Sequence, residues 1–210
     1  MRVDMDTDPQ AKKQGPRRDR SKKPAWRRFA RSRDGAAAIE FAILAFPYFL
    51  VVFAILETFI AFIGEQVLSN GVEVMARKLR TGEIRYPATD RTAFRTAFCN
   101  EISLVIKCTP EEIATPTLLY LDVRSFNTFA DIPTTIPRQS TAPYSDLKTT
   151  DFAYSPGGKS SINMLRAYYR WQVMTDLVRP YITTIRPADG SMPRDFLIVA
   201  TATFQNEAYP

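Results

Sequence analysis

The 210-residue chain has no histidine, two cysteines, two tryptophans and only eight glycines. Without histidine there is no imidazole to act as general base, metal ligand or activator of a nucleophile. Any chemistry would have to rest on carboxylates, Lys, Tyr or Ser alone. Eight glycines and fifteen prolines, with 45% apolar residues, exclude a fibrous repeat and wholesale disorder. Net charge is also small over most of the length. Residues 1–35 carry twelve Lys/Arg against five Asp, a net of +7, which leaves −1 for residues 36–210.

The basic segment 1–35 shows no apolar periodicity and is broken by Pro9, Gly15, Pro16 and Pro24. It cannot bury enough surface to offset its ordering entropy, and reads as disordered. Without interleaved aromatics or a folded reader, its charge points to membrane topology and anionic lipid rather than to nucleic acid.

What the sequence does have is one long apolar run. From 36 to 63 the only ionisable side chains are Glu40, Tyr48 and Glu57. As a helix this run measures about 42 Å, and a bilayer core of about 30 Å needs about 20 apolar residues. One membrane span is therefore expected over 36–63. The preceding basic residues put the N-terminus in the cytoplasm and the rest outside it. A cleaved secretory signal fits poorly, because its apolar region is about half as long and ends in small residues, whereas this run ends in "FIGEQ". The paired arginines of "WRRFARS" are what any basic segment produces by chance.

Beyond the span, Val67, Val74, Ala76 and Leu79 continue near helical spacing to a stop at Gly82, giving a helical extension over 64–82. In "DRTAFRTAFCNEISLVIKC", Phe94, Phe98, Ile102, Val105 and Ile106 form an amphipathic helix opened by Asp90 and closed before Pro110. The stretches "TLLYLDVRSFN", "INMLRAYYRWQVMT" and "RDFLIVATATFQNEAY" are rich in β-formers, and a Pro/Thr/Ser-rich loop spans 131–161. The outer domain, 83–210, reads as α+β with a helix and about three antiparallel strands.

Several residues stand out. Glu40 lies about one turn into the span, and an ionisable group there is either interfacial or functional. Pro47 either kinks the span, which would help a subunit leave the bilayer, or is simply tolerated. Glu57, 17 residues after Glu40, is about 100° away around the helix, so the two share no stripe. It either pairs with a partner helix or is solvated near the outer interface, with solvation favoured. Cys99 and Cys108 can form a disulfide worth roughly 2.7 kcal/mol only if the helix ends before Cys108, since nine helical steps span about 13 Å. Two buried free thiols are the alternative. "SPGGKS" lacks the first glycine and the frame of a phosphate loop, and "SDLK" at Ser145–Lys148 lacks the companion motifs of a penicillin-binding enzyme.

The order of basic segment, Gly35, then Ala36-Ala37-Ala38-Ile39-Glu40 and an apolar helix resembles the class III signal of type IV pilins and pseudopilins. Within that superfamily "DGAAAIEFAILAFPYFLVVFAILE", with Glu40-Phe41-Ala42, Pro47 and Glu57, is similar to the TadE-like proteins of the tight-adherence (Flp) pilus. "FLIVATATFQNEAYP" looks like that family's terminal strand. The resemblance implies cleavage between Gly35 and Ala36 by a prepilin peptidase, and an α-amino group neutralised by Glu40 in its own or a neighbouring chain. It also implies assembly through Glu40, Phe41, Pro47 and Glu57 with other pilins, pseudopilins and inner-membrane platform proteins. The implied location is the bacterial inner membrane, with a periplasmic outer domain and the option of extraction into the pilus. Ala36 stands where major pilins have Phe or Met, and the outer domain is far larger than a short Flp pilin's. Both departures favour a minor pseudopilin or assembly factor. The alternative is an unprocessed single-pass scaffold or adhesive protein. No catalytic group, cofactor, metal, nucleic acid or small-molecule substrate is expected, and a membrane-anchored hydrolase is disfavoured.

Overall fold

The computed structural model describes residues 33–176, 179–185 and 195–209. The disorder expected of the basic segment falls on residues outside these, apart from its last three. The chain divides into two units, Met1–Tyr48 and Phe49–Pro210. Among its described residues the first unit holds only the start of helix α1 (Arg33–Arg80), which is unbroken by Pro47 and includes the extension expected over 64–82.

Helix α1 ends for identifiable reasons. Arg77, Lys78 and Arg80 lie in its last turn, where cations oppose the exposed carbonyl ends. Gly82 takes a φ of +76°, open to a residue without Cβ, and its amide donates to the Leu79 carbonyl at 3.2 Å. Upstream, Leu68, Val72, Met75, Ala76 and Leu79 recur at helical spacing and are buried, forming the stripe that enters the core. Gly71 lies on the same side. A Cβ there would stand 2.5 Å from Ile102 Cγ2, so the glycine lets the next helix pack close.

That helix, α2 (Arg91–Ile102), is capped by Asp90, whose carboxylate accepts from the Ala93 amide at 2.7 Å. It buries Phe94, Phe98, Cys99 and Ile102, and Glu101 pairs with Lys78 of α1 at 2.6 Å. The helix stops earlier than its periodicity suggested. The Ser103 hydroxyl donates back to the Asn100 carbonyl, the Val105 and Ile106 amides both turn to the Ile102 carbonyl, and Ile106 reaches the core from this turn. The reversal brings Cys108 to a Cα distance of 5.9 Å from Cys99, and the two are disulfide-bonded rather than free. One short helix follows, α3 (Pro110–Ala114), capped by Thr109.

The sheet has four strands in the order β2-β1-β3-β4. The three long strands, β1 (Leu119–Phe126), β3 (Ile162–Gln172) and β4 (Asp195–Gln205), pair antiparallel, from Leu119 with Tyr169 to Gln172 with Asp195. A two-residue strand, β2 (Tyr154–Ser155), arises inside the stretch expected to be loop and pairs parallel to β1. The fold is α+β with a mixed sheet.

The two faces of the sheet alternate as pleating requires. Leu119, Leu121, Val123, Leu165, Ala167, Ile198, Ala200, Ala202 and Phe204 join the core formed with α1 and α2. The other face presents Tyr168 and Leu197, which join Leu147, Ile185 and Phe152 in a second cluster. Phe152 stacks on Tyr168 with ring centroids 4.8 Å apart. Arg166 donates to the Pro133 carbonyl at 2.6 Å, Arg170 pairs with Asp146 at 2.6 Å, and Asp122 accepts from the Ala153 amide at 3.1 Å. The stretch 131–153 thus covers the sheet's second face.

A buried polar knot joins α2 to the start of β1. The Arg95 guanidinium donates to the carbonyls of Ile113 (2.9 Å), Leu119 (3.1 Å) and Glu112 (2.7 Å). The Glu112 carboxylate accepts the amides of Thr117, Leu118 and Leu119. Burial pushes the Glu112 carboxyl up, but the Thr117 hydroxyl and the three amides outweigh it and hold it below its ordinary value of 4.5. Because the folded value is the lower one, this stabilisation is complete above the unfolded-state value and is lost as pH falls through the folded one. Glu112→Gln is therefore expected to lower unfolding stability at pH 7. Its deficit against the parent chain should shrink below about pH 4, as read by denaturant titration at a series of pH values. A deficit independent of pH would contradict the account.

Candidate functional site

The residues singled out in the sequence fall along α1. The Gly35–Ala36 bond lies in its first turn. Glu40, Phe41 and Pro47 are exposed, as are Ile39, Ile43, Leu44 and Phe46. In the second unit Phe49, Val51, Phe53, Ile55 and Leu56 are exposed in the same way. No residue in the most apolar stretch of α1 is buried inside protein. In water this would be unfavourable, whereas a bilayer is the solvent such a surface suits.

Glu57 breaks the pattern. It is only 9% exposed, against the solvated position favoured from sequence, although its neighbours Ile55, Leu56, Phe59 and Ile60 are open. Its carboxylate accepts the amides of Met174 and Thr175, the latter at 3.1 Å. Strand β3 has ended at Gln172, so these amides have no partner across the ladder and need another acceptor. A carboxylate taken out of water likewise needs donors. Each requirement meets the other, and the chain leaving β3 is tied to α1 at the level of Glu57.

The same junction has further support. Val173 is buried, and its carbonyl accepts from Arg179 at 3.1 Å, while Arg179 also pairs with Asp176 at 2.6 Å. Residues Arg179–Ile182 form one helical turn, α4. Ile182 lines an apolar cleft of about 230 Å³ with Thr58, Ala61, Phe62, Glu65, Trp171 and Phe196. From Ala61 onward, α1 enters the core one face at a time.

The disulfided cysteines lie away from this line, Cys99 in α2 and Cys108 in the turn before α3. The glycines of "SPGGKS" lie between β2 and β3, where Asn206 donates to the Gly157 and Gly158 carbonyls at 3.0 and 2.9 Å, so the segment serves as a clasp for the end of β4. Ser145 of "SDLK" bonds Ser140 within its own loop at 3.0 Å. Sequence reasoning missed the Met174 and Thr175 amides, since a backbone donor leaves no mark in the residue pattern. The only available signal was Glu57 itself, a carboxylate in an apolar run.

One helix with an exposed apolar half, continuing into the core of an α+β domain, defines the class: the helix fits a single-pass membrane protein. The family model of TadE-like proteins matches residues 35–77, beginning at Gly35 and covering Glu40, Phe41, Pro47 and Glu57. That segment is similar to TadE-like proteins, consistent with a TadE-like pilus assembly protein, and this points to membrane and pilus partners. No curated protein and no solved structure matches the chain.

Glu57→Ala is expected to destabilise the outer domain by about 2 to 3 kcal/mol, because two amides lose their acceptor. Glu57→Gln, which keeps one carbonyl acceptor, should cost less. Denaturant unfolding in detergent micelles measures both, and equal stability of Glu57→Ala and the parent would contradict the junction's role.

Proposed function

We propose that the protein is a minor pseudopilin or assembly factor of a tight-adherence pilus, cleaved between Gly35 and Ala36 and then assembled through its apolar helix. The observation that carries this reading is the spacing of Gly35 and Glu40 at the head of an exposed apolar helix, with the family match starting at that glycine. Cleavage would free an amine on Ala36, and Glu40, four residues on, lies one helical turn away. Neutralising that amine within the chain or on a neighbouring subunit removes a cost that an unpaired charge would otherwise meet in the bilayer. The role is recruitment rather than catalysis, and no cofactor is involved.

The basic segment supports a cytoplasmic N-terminus in the bacterial inner membrane, by the positive-inside rule. The Cys99–Cys108 disulfide supports a periplasmic outer domain, since such bonds persist in oxidising compartments. Partners under this reading are a prepilin peptidase, other pilins or pseudopilins, and inner-membrane platform proteins.

Co-expression with a prepilin peptidase, followed by intact-mass measurement, tests the processing step. The expected product has Ala36 as its first residue, and Gly35→Leu should leave the longer form and reduce pilus assembly. An unchanged mass with peptidase present, together with normal piliation of Gly35→Leu, would favour an unprocessed single-pass scaffold instead.

A further inference from the structure

Two of the most exposed apolar side chains in the outer domain lie beside the Glu57 junction. Met174 is 86% exposed and Tyr181 87%. They belong to the described residues 173–176 and 179–182, where the Met174 and Thr175 amides are bound by Glu57, the Val173 carbonyl accepts from Arg179, and Ile182 lines the cleft against Thr58 and Phe62. The level of this segment relative to a bilayer follows from the helix. Residues 36–56 are apolar apart from Glu40 and Tyr48, and as helix they rise about 31 Å, the thickness of a hydrocarbon core. Glu57 lies in the last two turns of the apolar run, which ends at Ile63, so the segment tied to it stands near the level where the run leaves the hydrocarbon core. Tyrosine favours this layer, with its ring in the acyl boundary and its hydroxyl in the headgroups, and methionine adds a flexible apolar contact.

We propose that Met174 and Tyr181 form a foot by which the outer domain rests in the interfacial layer of the outer leaflet, its occupant being lipid. The proposal rests on the reading of α1 as a membrane span. Proximity to the exposed apolar surface of α1 selects this occupant: Phe59 and Phe62 are exposed on the helix just beyond Glu57, and Ile182, next to Tyr181, lines a cleft with Thr58 and Phe62. The anchoring carboxylate stays out of the hydrocarbon because its donors are supplied by the foot's own backbone. The foot would fix the outer domain's height at the membrane, and removing the helix from the bilayer would require its release.

Because both native cysteines are disulfide-bonded, single introduced cysteines can be labelled selectively. The full chain is reconstituted in phosphatidylcholine vesicles with an NBD fluorophore on Met174→Cys or Tyr181→Cys. Phe46→Cys serves as the mid-span reference and Ser125→Cys as the exposed outer-domain reference. Fluorescence is then read with and without doxyl-labelled lipid. The labels at 174 and 181 should be blue-shifted relative to 125, quenched at least twofold by shallow-doxyl lipid, and quenched less by deep-doxyl lipid, with the label at 46 showing the opposite depth preference. If 46 is quenched while 174 and 181 match 125, the foot is wrong and the span stands. If 46 is not quenched, the span reading falls and the foot with it. A blue shift at 174 and 181 without lipid quenching would mean that protein covers them, which overturns the assignment to lipid.

Discussion

A carboxylate on an apolar helix and two amides beyond the end of a strand each carry a desolvation cost that neither can meet alone. The hydrogen bonds from Met174 and Thr175 to Glu57 meet both at once. The rest of the structure is arranged around the place where they form. Before Glu57, α1 exposes apolar residues on every side. After it, Ala61, Leu68, Val72, Met75 and Leu79 turn one face into a protein core while Glu65, Gln66, Ser69 and Glu73 face water. One continuous helix therefore serves two solvents, and the change falls between Glu57 and Glu65.

Much of this was legible in the sequence, for definable reasons. The apolar run, the Gly82 stop and the Asp90 cap are local signals, and each survives because tertiary packing agrees with it. The long strands were legible as runs of β-formers, although β3 stops at Gln172, before the expected Thr175, where the chain peels off to meet Glu57. The end of α2 was misjudged because Val105 and Ile106 keep the helical apolar spacing while reaching the core from a turn. The cover on the sheet's second face was hidden because its partners are backbone carbonyls and amides, as with Pro133 for Arg166 and Ala153 for Asp122. The processing and assembly residues are a different matter. Gly35, Glu40 and Phe41 were found as a spaced motif, and with Gly35 half-buried and Glu40 and Phe41 exposed, the motif and the family match are the basis for their proposed roles.

The outer domain is well provided for standing alone at the far end of that helix. A disulfide closes the turn after α2, the Arg95–Glu112 knot fixes the entry to β1, and Glu207 returns its amide to the Arg80 carbonyl at 2.9 Å, tying the chain after β4 to the end of α1. A subunit built this way can present the same outer face whether its helix sits in lipid or among other helices. Under the proposed role in pilus assembly, the apolar half of α1 would be the part that exchanges lipid for other helices.

The central claim is the change of solvent along α1 between Glu57 and Glu65. A spin-label scan of single cysteines at successive positions from 39 to 79, in reconstituted bilayers, tests it most directly through collision with oxygen and with a water-soluble nickel chelate. The expected result is high oxygen and low nickel accessibility at every position through 56, followed beyond Ile63 by a 3.6-residue oscillation between buried and water-exposed sites. Water accessibility on one face of the helix throughout residues 39 to 56 would contradict the account.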